Sequence, residues 1–365
     1  MLDISARSPL ADIARKVHGG ERLDFADGVR LYRSHDLLTI GYLANVVRER
    51  LNGDTAYYIV NRHINHTNVC VNECRFCAYY RPPDHPEAHT MSLDEIFAIA
   101  DSHAREGISE LHIVGGLNPR LPYSYYLDML RGLKARLPDV HLQAFTMVEI
   151  DHIAAVAGKP VRDTLQDLQA AGLGSIPGGG AEVFSPGVRE QLCEKKIPGA
   201  RWLEIARTAH ELGIRSNATM LYGHVESAEE RVEHLIQLRD LQDQTGGFLA
   251  FIPLAFHPEN TRVEQGAGTT GYDDLKNLAV ARLMLDNFPH IKAFWIMVGP
   301  KVAQVSLSFG VDDIDGTVIE ERITHSAGAR TAQGMTRSEL VHLIRQAGRV
   351  PVERDTVYNV RSRNV

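Results

Sequence analysis

Cysteine is scarce in this chain, with four in 365 residues. That count cannot build a disulfide scaffold, and three of the four fall between Cys70 and Cys77, so any local bridge leaves one thiol unpaired. No apolar run approaches the roughly 18 residues of a membrane helix. Met1 to Lys16 mixes charges with short apolar pieces and holds no signal-peptide core. Basic residues are not in excess: 39 Lys and Arg face 46 Asp and Glu, for a net charge of −7. That balance argues against a general nucleic-acid binder, which needs a basic face. Low-complexity segments and internal repeats are absent. So is the Gly-x-Gly-x-x-Gly fingerprint of a dinucleotide fold after the first strand. The expectation is a cytoplasmic chain with reduced thiols, no membrane partner and no nucleic-acid partner. Its 44% hydrophobic and 23% charged content is ordinary for a globular enzyme.

What is present is strand–helix alternation. Residues 8–53 read as helical and end at Asn52-Gly53. Residues 55–64 are rich in aromatic and β-branched side chains and read as a strand. Further strands are expected at 110–114, 140–148, 173–177, 214–221, 247–255, 291–298 and 311–318. Helices stand between them, one reaching 106. Capping boxes at Ser92–Glu95, Ser227–Glu230 and Thr336–Glu339 open three of these helices. Eight such units in about 300 residues fit an α/β protein of the (β/α)8 TIM-type barrel class. An open doubly wound sheet is the alternative. The expected organisation is an N-terminal helical extension (1–54), a barrel core (55–330), and a C-terminal helix and polar tail (331–365).

The three clustered cysteines read Cys70-Val-Asn-Glu-Cys74-Arg-Phe-Cys77, a C-x3-C-x2-C spacing. Thiolates are soft ligands that suit zinc, copper(I) or iron–sulfur. A structural zinc site would recruit a fourth ligand such as His63 or His66. Three cysteines in one loop instead suit a 4Fe-4S cluster with one iron left open, with Phe76 beside it. Cys193 reads as a separate structural thiol. In a parallel barrel, chemistry gathers where the strands end. There the sequence places Gly115-Gly116, Glu149, Gly178-Gly179-Gly180 with Glu182, His224, His257, Lys301 and the aspartates Asp312, Asp313 and Asp315, which also suit a helix cap. The triple glycine reads as bare backbone for close approach to a ligand.

A C-x3-C-x2-C loop after the first barrel strand resembles the radical S-adenosylmethionine (radical SAM) superfamily. Gly115-Gly116 looks like that superfamily's glycine-rich stretch. Asn61–Cys70, His112–Leu117, Pro177–Glu182, Ser216–His224, Phe251–Asn260 and Glu353–Asp355 together resemble the aminofutalosine synthase family of the futalosine route to menaquinone. The resemblance implies that Cys70, Cys74 and Cys77 hold a 4Fe-4S cluster. It implies that Phe76, Gly115, Gly116 and Glu182 serve S-adenosylmethionine. It further implies addition of a 5′-deoxyadenosyl radical to 3-(1-carboxyvinyloxy)benzoate, with rearrangement and loss of carbon dioxide, to give 6-amino-6-deoxyfutalosine. That small dicarboxylate calls for cations and polar donors, for which Arg62, Arg189, Asn217, Thr219, His224, His257 and Lys301 are the candidates. A reductant such as a flavodoxin or ferredoxin is the implied protein partner. The alternative is the hydrogen-abstracting dehypoxanthine futalosine cyclase of the same pathway.

Overall fold

A computed structural model of the protein describes residues 7–103, 107–264 and 268–363. Three helices come first: α1 (Ala11–Gly19), α2 (Phe25–Arg33) and α3 (Leu37–Asn52). The Asp24–Asp27 capping box starts α2, and the Asp36 carboxylate caps α3. These helices lie on the outer helices of the main domain, α2 on Ala228–Thr245 and α3 on Gly271–Met284. Small residues allow the close approach: a Cβ on Gly28 would meet Met284 and Val232 at 3.0 Å, and one on Gly41 would meet the Phe309 ring at 2.3 Å.

The first strand is broken. Where one strand over 55–64 is expected, β1 (Thr55–Ile59) and β2 (Asn61–Ile64) enter different sheets. The cause lies far along the chain. Thr317 Oγ1 accepts the Asn61 N–H at 2.9 Å and donates to the Asn61 carbonyl at 2.6 Å, while Asn61 Oδ1 accepts the Val318 N–H at 2.9 Å. A distant hydroxyl and amide thus take the place of a continuing ladder. Gly316 permits the approach, since a Cβ there would stand 2.4 Å from Asn61 Oδ1.

From β2 onward the sheet is parallel and seven-stranded. Its strands, in order, are β2, β3 (Glu110–Ile113), β4 (His141–Ala144), β5 (Ser175–Ile176), β6 (Arg215–Tyr222), β7 (Phe248–Ala255) and β8 (His290–Ile291). Registers such as His63 opposite His112, and His112 opposite Gln143, align one inward row. All seven strands end on the same side, so their loops share a rim.

The closed eight-stranded barrel expected from the alternation is not what forms. The eighth region yields β9 (Asp313–Gly316), which pairs with β1. It forms no strand ladder with the seven-stranded sheet among the described residues; isolated bridges join Lys292 to Asp313 and, just beyond β9, Arg62 to Ile319. The tail expected to be a polar end contributes β10 (Val350–Arg354), parallel to β1, and β11 (Val360–Arg363), antiparallel to β10. The second sheet is therefore ordered β11-β10-β1-β9.

The strands expected at 140–148, 173–177, 291–298 and 311–318 are all shorter than the pattern suggested, and for two the local cause is plain. Thr146 ends β4 by capping the helix Met147–Ala157 in a box with Glu149. The apolar run after Ile291 turns at Phe294 into the short helix Trp295–Val298. The expected helix end at 106 lies outside the described residues. Among the described residues no helix is long and apolar enough to cross a membrane.

Candidate active site

Inside the curl of the seven-stranded sheet lies a cavity of about 320 Å³. Its wall is built from the cysteine loop, the loops that follow the strands, and inward side chains of β2, β3, β4, β6 and β7.

The cysteine loop is fastened from several sides. The Val71 N–H donates to the Leu117 carbonyl at 3.2 Å, Arg75 N–H to Leu192 at 2.8 Å, and Arg262 N–H to Arg75 at 2.7 Å. Gly116 makes the tightest contact: a Cβ there would fall 2.2 Å from the Val69 carbonyl oxygen and 2.9 Å from Cys70 Cβ. A Cβ on Gly115 would fall 2.6 Å from the His66 ring. Neither glycine has a positive φ. Close packing of the loop on the end of β3 therefore explains the pair, rather than a left-handed turn. The Gly115 N–H donates to Glu149 Oε1 at 2.9 Å, which makes Glu149 both a helix cap and a wall residue.

Cys70, Cys74 and Cys77 all line the cavity, unbridged. Burial raises the thiol pKa of Cys70 and pushes Cys77 up to about 11. A hydrogen bond to Cys193, and then burial, hold Cys74 protonated. Cys193, expected to be remote, in fact stands against Cys74. Metal binding requires thiolates, so these groups await a strongly cationic guest. Among the described residues no three His, Cys, Asp or Glu side chains gather closely enough to hold a single ion. His63 instead stacks on His112, ring centroids 4.4 Å apart, and His66 is fully buried. A single zinc ion does not fit. Three soft thiols spread along one wall fit an iron–sulfur cluster, which takes its ligands on separate irons.

Beside the thiols, Glu182 sits at φ 49° and pairs with Lys196 at 2.5 Å. Lys196 Nζ also lies 5.1 Å from the centre of the Phe76 ring. The triple glycine has a different reason from the one expected. Gly178 and Gly180 have φ of 84° and 82°, and Cβ atoms there would strike the Asn217 carbonyl at 2.1 Å and Val148 at 2.4 Å. Protein packing, not only ligand approach, demands them. Gly179 and Gly180 nevertheless face the cavity.

Deeper in the sheet is a polar floor of His63, Glu110, His112, Gln143, Thr219, Lys292 and Asp315. Burial works against the Glu110 carboxylate, but His112, at 3.8 Å, and then Lys292 and Arg354 hold its pKa well below the usual range. Burial drives His63 well below its ordinary value, so it stands neutral. Asp315 goes the other way: burial pushes it up, Lys292 opposes, and Asp313 adds to the rise. Apolar walls of Val114, Leu117, Leu221, Ile252, Leu254 and Phe294 join floor to rim.

Of the expected site residues, the three cysteines, Phe76, Gly115, Gly116, Glu182, Thr219 and His257 line this cavity. Five others lie outside its wall. Arg189 is buried and donates to the Ala181 carbonyl at 2.7 Å and to the Ile197 carbonyl, so it braces the Glu182 loop. His224 is buried beside Glu226 and its Nε2 lies 2.9 Å from the Leu221 carbonyl. Arg62 pairs with Glu320 at 2.8 Å. Asn217 faces Gln143 at 3.5 Å. Lys301 is exposed on the helix Pro300–Ser306.

Sequence reasoning gave no site role to Lys196, Lys292, Glu110 or His112, and it placed Asp315 on the rim with Asp312 and Asp313 without assigning it a ligand. A signal existed for three of them: Lys292 interrupts an apolar run, and Glu110 and His112 alternate with apolar neighbours along one strand. Lys196 carried none, because its role arises only where the turn after the helix Pro186–Cys193 meets the cysteine loop.

A model of the radical SAM superfamily matches residues 64–238, and one of the CofH/MqnC C-terminal region matches 245–364. An aminodeoxyfutalosine synthase of Thermus thermophilus is 50% identical over 353 residues, covering 96% of this chain and 95% of its own. One from Streptomyces coelicolor is 45% identical, covering 96% and 93%. A cyclic dehypoxanthine futalosine synthase of Halalkalibacterium halodurans is 37% identical, covering 95% and 94%. Among solved structures, methylornithine synthase superposes with a TM-score of 0.73 at 17% identity, over 93% of this chain and 97% of that one. That likeness speaks to the fold.

Proposed function

The chain belongs to the radical SAM superfamily, in the family of the aminodeoxyfutalosine synthases, and on that premise we propose that it adds an adenosyl group to 3-(1-carboxyvinyloxy)benzoate. As a radical SAM enzyme it works with a 4Fe-4S cluster and S-adenosylmethionine, which together supply a 5′-deoxyadenosyl radical. A new bond joins the adenosyl C5′ to the vinyl CH2, the aryl group moves from oxygen to carbon, and the vinyl carboxylate leaves as carbon dioxide, giving back the one electron that the cleavage of S-adenosylmethionine consumed. The product is 6-amino-6-deoxyfutalosine, and methionine is released. A flavodoxin or ferredoxin in the cytoplasm is the proposed source of the starting electron.

The residues divide the work by position. Cys70, Cys74 and Cys77 hold the cluster. Gly115 and Gly116 keep the adjoining wall free of side chains. Glu182, fixed by Lys196 and by the loop that Arg189 braces, offers an acceptor to the ribose or amino group of S-adenosylmethionine. Thr219 and His257 border the space left for the aryl ether. The apolar walls exclude water that would otherwise quench a radical.

The observation that supports this reading best is the shared cavity. Thiols, glycine pair and Glu182 meet at one end, and a charged floor lies at the other. The test is anaerobic reconstitution with iron and sulfide, followed by reduction with S-adenosylmethionine and the enol ether present. The expected product is an adenosyl adduct of the correct mass with carbon dioxide released. Free 5′-deoxyadenosine without adduct would move the protein to the cyclase, the family at 37% identity rather than 50%. Bound zinc with no cluster absorption would defeat both.

A further inference from the structure

Two lysines line the cavity, and they are held differently. Lys196, at the thiol end, is bonded to Glu182 at 2.5 Å. Lys292, in the floor, has a side chain only 7% exposed, and its nearest carboxylate is Asp315 at 3.7 Å, beyond hydrogen-bond reach. Among the described residues nothing accepts a hydrogen bond from its ammonium. The ammonium therefore keeps its open surface on the cavity, where a ligand's anion can reach it, and a charge so largely withdrawn from water gains from such a partner. The other buried charges nearby are already engaged. Glu110 takes a hydrogen bond from Asn61 at 3.3 Å and lies beside His112. Asp313 holds Arg354 at 2.5 Å and Tyr358 at 2.8 Å. Asp312 holds Arg282 and His290, each at 2.6 Å. Lys292 and Asp315 are the loosely held pair, and both face the cavity.

Depth along the strands separates the two lysines. The Lys292 N–H donates to the Phe251 carbonyl at 2.9 Å. β7 runs on from Phe251 to Ala255 before reaching the rim. At roughly 3.3 Å per residue, the Lys292 backbone lies about 13 Å below that rim. The chemistry of the aryl ether has the same two ends. Its vinyl carbon must meet the adenosyl C5′ near the thiols, and the vinyl carboxylate is bonded beside it. Only the ring carboxylate is remote enough to reach the floor.

Resting on the function proposed above, we propose that Lys292 is the anchor of the aryl ring's carboxylate, with Asp315 as its protonatable neighbour. The class of ligand it selects is a benzoate-bearing enol ether over the same ether without the ring carboxylate. A carboxylate on Lys292 supplies the missing acceptor, and Asp315, when protonated, supplies a donor to its second oxygen.

The test pairs a protein change with a ligand change. Reconstituted holoenzyme, its cluster left oxidised so that no turnover occurs, is equilibrated with S-adenosylmethionine and either 3-(1-carboxyvinyloxy)benzoate or 2-phenoxyacrylate, and the Kd of each is measured. Lys292→Met should weaken the dicarboxylate by about 100-fold, the scale for removing one partner of a buried ion pair. It should leave 2-phenoxyacrylate nearly unchanged. Lys292→Arg should recover part of the loss. Lys292→Gln replaces the methionine variant if the latter lacks wild-type cluster absorption. Equal weakening of both compounds, or no weakening of the dicarboxylate, would overturn the assignment. Wild-type protein binding neither compound would overturn both proposals. A Kd contrast that holds while the reduced enzyme forms no adduct faults the reaction, not Lys292.

Discussion

Glu226→Gln separates a structural role from a substrate role at the rim. The Glu226 side chain is fully buried in the loop after β6. It accepts the N–H groups of Gly223 at 2.6 Å and His224 at 2.9 Å, and Arg231 Nε at 2.8 Å. Burial pushes its pKa up, but His224 and Arg231 outweigh this and hold it at about 2, against an ordinary 4.5. At 1.36 kcal/mol per pH unit, that difference is about 3 kcal/mol of stability at neutral pH. His224 Nδ1 lies 2.7 Å from both the Glu226 carboxylate and the Val225 N–H, and one proton cannot serve both. Two backbone donors and Arg231 remain in either case, so about 2–3 kcal/mol is the better figure.

The folded pKa is depressed, so this stability is fully present above 4.5 and is lost as pH falls through about 2. Between pH 5 and 8 it is constant. For 365 residues, an unfolding entropy near 2.1 cal/mol/K per residue converts it to a Tm loss of roughly 3–4 °C. Thermal melts of both proteins at pH 5, 6.5 and 8, followed by circular dichroism, measure this. A loss below about 1 °C, or one that changes across that range, would refute the argument. The affinity for the aryl ether should not move in Glu226→Gln or His224→Gln, because neither residue lines the cavity.

Cys74→Ala should abolish cleavage of S-adenosylmethionine and lower iron per chain, whereas Cys193→Ala should keep both at a stability cost of about 1 kcal/mol. Equal loss in the two variants would mean that the ligand set is wrong. Gly116→Ala should displace the cysteine loop, because its Cβ meets a backbone carbonyl at 2.2 Å. An overpacking cost of about 1–3 kcal/mol and a fall in bound iron should follow. Gly246→Ala, whose Cβ meets nothing within 4 Å but whose φ is 60°, is the control for iron: it should lose some Tm from backbone strain and keep its iron. Gly116→Ala with wild-type iron and Tm would defeat the packing argument.

Features set by near neighbours were legible in the sequence. The capping boxes at Ser92–Glu95, Ser227–Glu230 and Thr336–Glu339 all form, because each needs only four adjacent residues. The cysteine loop and the glycine pair fall beside one cavity because strand order alone brings those loops together. Features set by distant partners were not legible. The break at Val60 depends on Thr317 and Gly316, more than 250 residues away. Arg189, His224 and Arg62 have the right chemistry for a carboxylate, but the protein's own carbonyls and carboxylates claim them first, for His224 from its own loop. Charge in a sequence marks a group that needs a partner, and the fold decides whether that partner is protein or ligand.

That distinction explains the second sheet. Its ion pairs, Arg354 with Asp313 and Arg282 with Asp312, are buried and add little net stability once desolvation is counted. They fix geometry instead. Tyr358, under Arg354 at 4.2 Å and stacked on His290 at 3.5 Å, ties the tail to the start of β8. Asp313 then accepts the Asp315 N–H at 2.6 Å and holds that residue at φ 66°, facing Lys292. The tail therefore acts on the cavity through one carboxylate. Breaking β1 from β2 lets β9 enter beneath the seven-stranded sheet and carry Asp315 into the floor. An eighth strand in regular register would have continued the apolar alternation there. The irregular strand is what gives the cavity a charged far end, opposite the thiols.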